Sequence, residues 1–146
     1  MNLENSLWGN LPLTETTRTP VIILREQATI LTKLTNALLE GVVTVRNTAD
    51  IFSFGKQHKE FAVTLSITAP ALDGYNIQIL KVEYDLVLYP ATVYDLLGEI
   101  QPDEIVCRDE SGLNAAIGKV LSSEKVQKAV GMLLAQSRST ESDVAA

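Results

Sequence analysis

The stretch from Phe61 to Ala69 alternates without a fault. Phe61, Val63, Leu65, Ile67 and Ala69 are apolar, and Ala62, Thr64, Ser66 and Thr68 between them are small or polar. A period of two means a strand with one buried and one open face. Such a strand is not stable alone and needs neighbours and a cover. Pro70 ends the run, Asp73-Gly74 is a hairpin turn signal, and a further strand is expected from Tyr75 to Tyr89, stopped by Pro90. A two-residue turn at Asp73-Gly74 would set Ile67 against Leu80, Leu65 against Val82, Val63 against Tyr84 and Phe61 against Leu86, all apolar pairs. The opposite face would pair Ser66 with Lys81, Thr64 with Glu83 and Ala62 with Asp85. Strand pattern and turn thus agree on one antiparallel hairpin with one wet face. Pro70 limits pairing beside the turn and allows a longer loop of the same parity.

Helical spacing brackets this hairpin. Thr19 suits an N-cap and Pro20 the first helical position. Leu24, Ala28, Leu31, Ala37 and Leu38 follow near-helical spacing, and Ile23, Ile30 and Leu34 widen the stripe. A helix over 20–40 is expected, with Gly41 as a left-handed stop. Val42–Arg46 and Asp50–Phe54 read as strand with opposite parity, which predicts an irregularity near Asn47–Ala49. In 91–103, Thr92–Leu97 before Gly98 fits either a short helix or another strand. Glu104–Cys107 reads as an edge strand. Leu113, Ala116, Ile117, Val120 and Leu121 make a helix capped near Asp109 or Ser111, and Ser122-Ser123-Glu124 starts a second one. Gly118 and Gly131, inside these helices, suggest close approach of a neighbouring element.

The expected fold is therefore a two-layer α+β domain. An antiparallel meander of three to four strands carries the N-terminal helix and two C-terminal helices on one face. The domain spans 19–136, between a mobile N-terminal tail, 1–18, and a disordered polar tail, 137–146. The N-terminal tail carries Leu3, Leu7, Trp8, Leu11 and Leu13. It either docks on its own domain or serves as a short binding motif.

The sequence excludes much chemistry. One cysteine (Cys107) and one histidine (His58) in 146 residues exclude a disulfide framework and the usual zinc sites. Cys107 lies in an apolar run and His58 in a lysine-flanked turn, so the pair reads as a buried inert thiol and a solvated imidazole. There is no G-x-S-x-G elbow and no phosphate-binding glycine loop, so no cofactor is expected. Phe52, Phe54, Phe61 and Tyr84 point to the expected core, which removes an aromatic base-stacking sheet. The N-terminus has neither a basic start nor an apolar core, and no apolar run approaches the ~20 residues of a membrane span. The expected location is the cytoplasm.

Charge narrows the function. Residues 1–72 carry six acids and six bases, residues 73–110 nine acids and two bases, and residues 111–146 three acids and four bases. The net charge of −6 therefore comes from one stretch. Such a field repels nucleic acid and anionic lipid and attracts a basic protein. The expected function is a non-enzymatic protein–protein interaction domain: an adaptor, antitoxin or immunity-type inhibitor of a basic partner. The candidate binding residues are Glu99, Asp103, Glu104, Asp109 and Glu110, with Glu83 and Asp85 on the wet strand face. The alternative is a small-molecule-binding domain or minor enzyme with a pocket between sheet and helices. An apolar pocket with Glu83, Asp85 or Tyr89 converging on it would favour that alternative.

Overall fold

A computed structural model describes residues 5–48, 59–98 and 104–145. The Thr19 hydroxyl accepts the Ile22 N–H at 3.3 Å and opens helix α1, Pro20–Leu34, with Pro20 in its first turn. The helix ends six residues before the expected stop, and two threonines end it. The Thr35 hydroxyl donates to Leu31 O at 3.0 Å and accepts the Leu39 N–H at 3.2 Å. Asn36 and Ala37 then take left-handed backbone, at φ 51° and 63°. Gly41 is not the helix stop but the second residue of strand β1, Glu40–Asn47. The Thr32 hydroxyl donates to Ala28 O and accepts the Gly41 N–H, both at 3.0 Å, which ties β1 to α1. Thr32→Val should leave that N–H without an acceptor and cost about 1–3 kcal/mol. Exposed Thr29→Val should stay within about 0.5 kcal/mol. Urea unfolding of both variants checks the difference.

Strand β2, Phe61–Ala69, leads through a single 3-10 turn, Pro70–Leu72, into β3, Tyr75–Tyr84. Strands β4, Ala91–Asp95, and β5, Glu104–Cys107, complete a five-stranded antiparallel meander in the order β1-β2-β3-β4-β5. The sheet has five strands rather than three to four, because 91–95 forms a strand. Helices α2, Glu110–Leu121, and α3, Glu124–Ala145, follow. Asp109 caps α2 by accepting the Gly112 N–H at 2.7 Å. Helix α3 runs on through residues assigned from composition to a polar tail, and Ser137 is fully buried. The strand expected at Asp50–Phe54 and His58 fall outside the described residues; of the stretch Asn47–Ala49 where an irregularity was expected, Asn47 still pairs regularly with Phe61 and Ala49 lies outside the described residues. The described part of residues 1–18 forms no long element, and Leu7, Trp8 and Leu13 stand exposed.

The hairpin register is shifted from the expected one by two residues over Phe61–Leu65 and by three over Ser66–Ala69, so the loop does not keep the expected parity. Phe61 pairs with Tyr84, Val63 with Val82 and Leu65 with Leu80. Pro70 closes β2 one residue after Ala69, so the loop is longer than two residues and Ala69 meets Tyr75. Asp73 and Gly74 do take the left-handed turn, at φ 57° and 72°. A bulge at Ile79 then changes the phase. Ser66 pairs with Gln78 and Ile67 with Ile77, leaving Ile79 unmatched on β2. Ile79 and Leu80 are both fully buried, as a bulge that turns two successive side chains to one face requires. Strand β3 ends at Tyr84 rather than Tyr89. Leu86 is 75% exposed beyond it, and Tyr89-Pro90 is a cis peptide before β4.

The core lies between the sheet and the helices. Leu24, Leu39, Val63, Ile79, Leu80, Val82, Val93, Leu113 and Val120 are its largest fully buried members. The other sheet face carries no helix among the described residues and is polar. Asn76 Nδ2 donates to Ser66 Oγ and Thr68 Oγ1 at 3.1 and 2.8 Å, and Lys81 Nζ stands 4.8 Å over the Tyr94 ring. Gly118 and Gly131 face open space instead of a close neighbour.

Candidate functional site

The acidic residues singled out from the sequence do not converge. Glu83 lies on the polar sheet face, with Lys81 Nζ 3.5 Å from its carboxylate. Asp85 closes the end of the hairpin: it accepts the Glu60 N–H at 2.9 Å and pairs with Lys59 at 3.5 Å. Asp109 is spent on the α2 cap. Glu110, in the first turn of α2, pairs with Arg18 at 3.4 Å. Arg18 also holds Glu26 through two hydrogen bonds, at 2.6 and 2.9 Å. That pairing lowers the Glu26 carboxyl pKa and raises that of the Arg18 guanidinium. Glu104 is exposed at the edge strand, across from Tyr94. Glu99 and Asp103 lie outside the described residues.

Cys107 sits in β5 at 2% exposure, its Sγ directed to Ile105 O at 3.6 Å. Burial pushes its pKa up, and the Asp109 charge adds to the shift. The thiol therefore stays protonated and sheltered at neutral pH. Native protein should label at least tenfold more slowly with a thiol reagent than unfolded protein. Equal rates would contradict this burial. Among the described residues no group of three His, Cys, Asp or Glu side chains is placed to hold a metal ion, and no helix is long and apolar enough to cross a membrane.

What the fold does build is an apolar groove. Helices α1 and α3 stand apart on the sheet, and between them opens a cavity of about 380 Å³. Its floor is Leu65, Ile67 and Ile79 of the sheet. Leu31 and Leu34 form the α1 wall, and Val126, Val130 and Leu134 the α3 wall. Its polar lining residues are Gln27, Thr35 and Gln127, and none of the lining is titratable. The Thr35 hydroxyl is already engaged with α1 backbone, and Gln127 Nε2 donates to Leu121 O at 2.9 Å. On the α1 rim Ile30 is 45% and Leu34 78% exposed. The volume falls in the range of about 300–1,000 Å³ common for ligand pockets.

No family model, curated protein or solved structure matches this chain. The groove is where the sequence alternative put a pocket, but Glu83, Asp85 and Tyr89 are not among its lining residues. Sequence reasoning missed Ile30, Leu34, Val130 and Leu134 as candidate site residues. The available signal was the width of the α1 stripe: Ile30 and Leu34 extend it beyond what one sheet face covers.

Proposed function

We propose that the protein is a non-enzymatic interaction domain that takes an apolar part of its partner into the groove between α1 and α3. One observation carries the reading: an open groove floored and walled by Leu, Ile and Val, with no titratable or thiol group in its lining. Apolar walls supply binding free energy, whereas acid–base or nucleophilic chemistry needs groups this lining lacks. The rim side chains Ile30 and Leu34 remain in solvent until something covers them.

A neutral solvatochromic dye tests this at low protein concentration. The dye should bind the folded protein. The paired variant Ile30→Glu with Leu34→Lys, whose new charges sit one helical turn apart and offset each other, should weaken binding about tenfold, or ~1.4 kcal/mol. Thr44→Glu, at an exposed position on the opposite, polar sheet face, should leave it unchanged. Dye binding that ignores the groove substitutions would overturn the assignment.

The acidic stretch supports a second contact, with a basic protein. Strand β5 is a sheet edge, and Glu104 and Val106 are exposed on it. An edge strand offers unpaired backbone groups to another chain. Charge reversal at Asp103 and Glu104 should slow association with such a partner and leave fold stability nearly unchanged. The effect should fade as salt shortens the Debye length below ~10 Å. Association that ignores both salt and these reversals removes the acidic stretch as a binding surface.

A further inference from the structure

We infer that the groove receives the N-terminal segment of a second copy of this chain, and that reciprocal exchange of these segments makes a closed dimer. The inference rests on the groove reading above and names its occupant. The chain carries two apolar surfaces that do not meet. One is the groove. The other is the segment around Leu7–Leu13, where Leu7 is 98%, Trp8 76% and Leu13 85% exposed. A chain that leaves a tryptophan and two leucines in water and also carries an open leucine-lined groove holds both halves of an interface.

The course of the segment agrees with this occupant. Arg18, held by Glu26 and Glu110, fixes where the segment leaves the domain, at the opposite end of α1 from Leu34. From Thr19 to Leu31 the helix rises about 18 Å. Within its own chain the segment folds on itself instead of running that way. The Leu13 N–H donates to Leu11 O at 2.9 Å and the Glu15 N–H to Pro12 O at 3.2 Å. Exchange between two copies about a two-fold axis satisfies both grooves and closes the assembly.

Trp8 is the chain's one tryptophan and lies in the segment, so its emission reports the docking directly. As concentration rises, sedimentation should show the apparent mass doubling, and Trp8 emission should shift to the blue over the same range. The triple variant Leu7→Ser, Leu11→Ser, Leu13→Ser should stay monomeric yet bind the neutral dye in its groove. The Ile30→Glu, Leu34→Lys variant should also stay monomeric, with Trp8 emission typical of water. Mixed together, these two variants should recover both association and a blue shift, because one copy supplies the segment and the other the groove. Blue emission from a monomer at every concentration would mean that the segment fills its own groove, and would overturn the inference. A dimer whose Trp8 stays in water would overturn it too. A monomer with water-exposed Trp8 and a dye-binding groove would overturn the exchange alone. Loss of dye binding in the unmodified chain would overturn the groove reading with it.

Discussion

Replacing Gly41 by valine is expected to lower the unfolding free energy by about 3 kcal/mol, at the upper end of what overpacking costs. A Cβ at Gly41 would lie 2.5 Å from Ala28 Cα and 2.7 Å from both Ala28 Cβ and Ala28 O. Two of those three atoms are backbone, so no rotamer change relieves the clash. Either β1 or α1 must move, and the Thr32 hydrogen bond to the Gly41 N–H opposes that movement. Ala28→Gly removes one clashing atom of three, so it should rescue Gly41→Ala partly at most. Gly118→Ala should act in the other direction. That position lies inside α2 with nothing within 4 Å of a new Cβ. Alanine there should stabilise by about 0.5–1 kcal/mol through helix propensity. Urea midpoints of these variants decide the matter. A Gly41→Val protein as stable as the parent would mean that β1 does not lie against α1 as described.

The elements whose ends are set locally were legible in the sequence. Thr19-Pro20 marks the start of α1, Asp109 that of α2, and the apolar run Glu104–Cys107 is β5. The end of α1 was not legible. Thr32 and Thr35 look like ordinary helix residues until their hydroxyls find Gly41 and Leu39 further along the chain. The bulge was written in the sequence but needs a phase comparison to see. Tyr75, Ile77 and Ile79 are odd-numbered, whereas Leu80, Val82 and Tyr84 are even. A single register would have placed Asn76 and Gln78 on the core side, and Ile79 is the residue that changes the phase.

The candidate site was less legible for a related reason. A charge count finds acids but not the work they already do. Asp85 meets Lys59 and the Glu60 N–H, and Glu110 meets Arg18. These partners lie between 25 and 92 positions away, and only the meander and the placing of α2 beside α1 bring them together. Once paired or used as caps, such carboxylates are poor candidates for holding a partner. The groove left a fainter trace still, because a gap between two helices has no residue of its own. Only the excess width of the α1 stripe points to it.

Leu24→Ala is the second substitution with a large expected effect, about 2–5 kcal/mol. Leu24 is fully buried under the sheet–helix core, and truncation leaves a sealed void that its neighbours cannot fill. Leu31 lies on the same apolar stripe, and helical spacing alone would assign it the same cost. The structure separates them, because Leu31 is partly exposed and lines the groove. Its truncation widens a space already open to solvent, so it loses transfer free energy without creating a new cavity. About 1 kcal/mol is expected, and Lys33→Ala, exposed on α1 outside the groove lining, should stay within about 0.5 kcal/mol. Denaturant unfolding should therefore rank the three variants with Leu24→Ala lowest by a clear margin. The measurement is best made at a concentration low enough to keep the chain monomeric, since an occupied groove would seal the space beside Leu31. Under those conditions, equal losses at Leu24 and Leu31 would mean that α1 and α3 close on each other and that no groove exists.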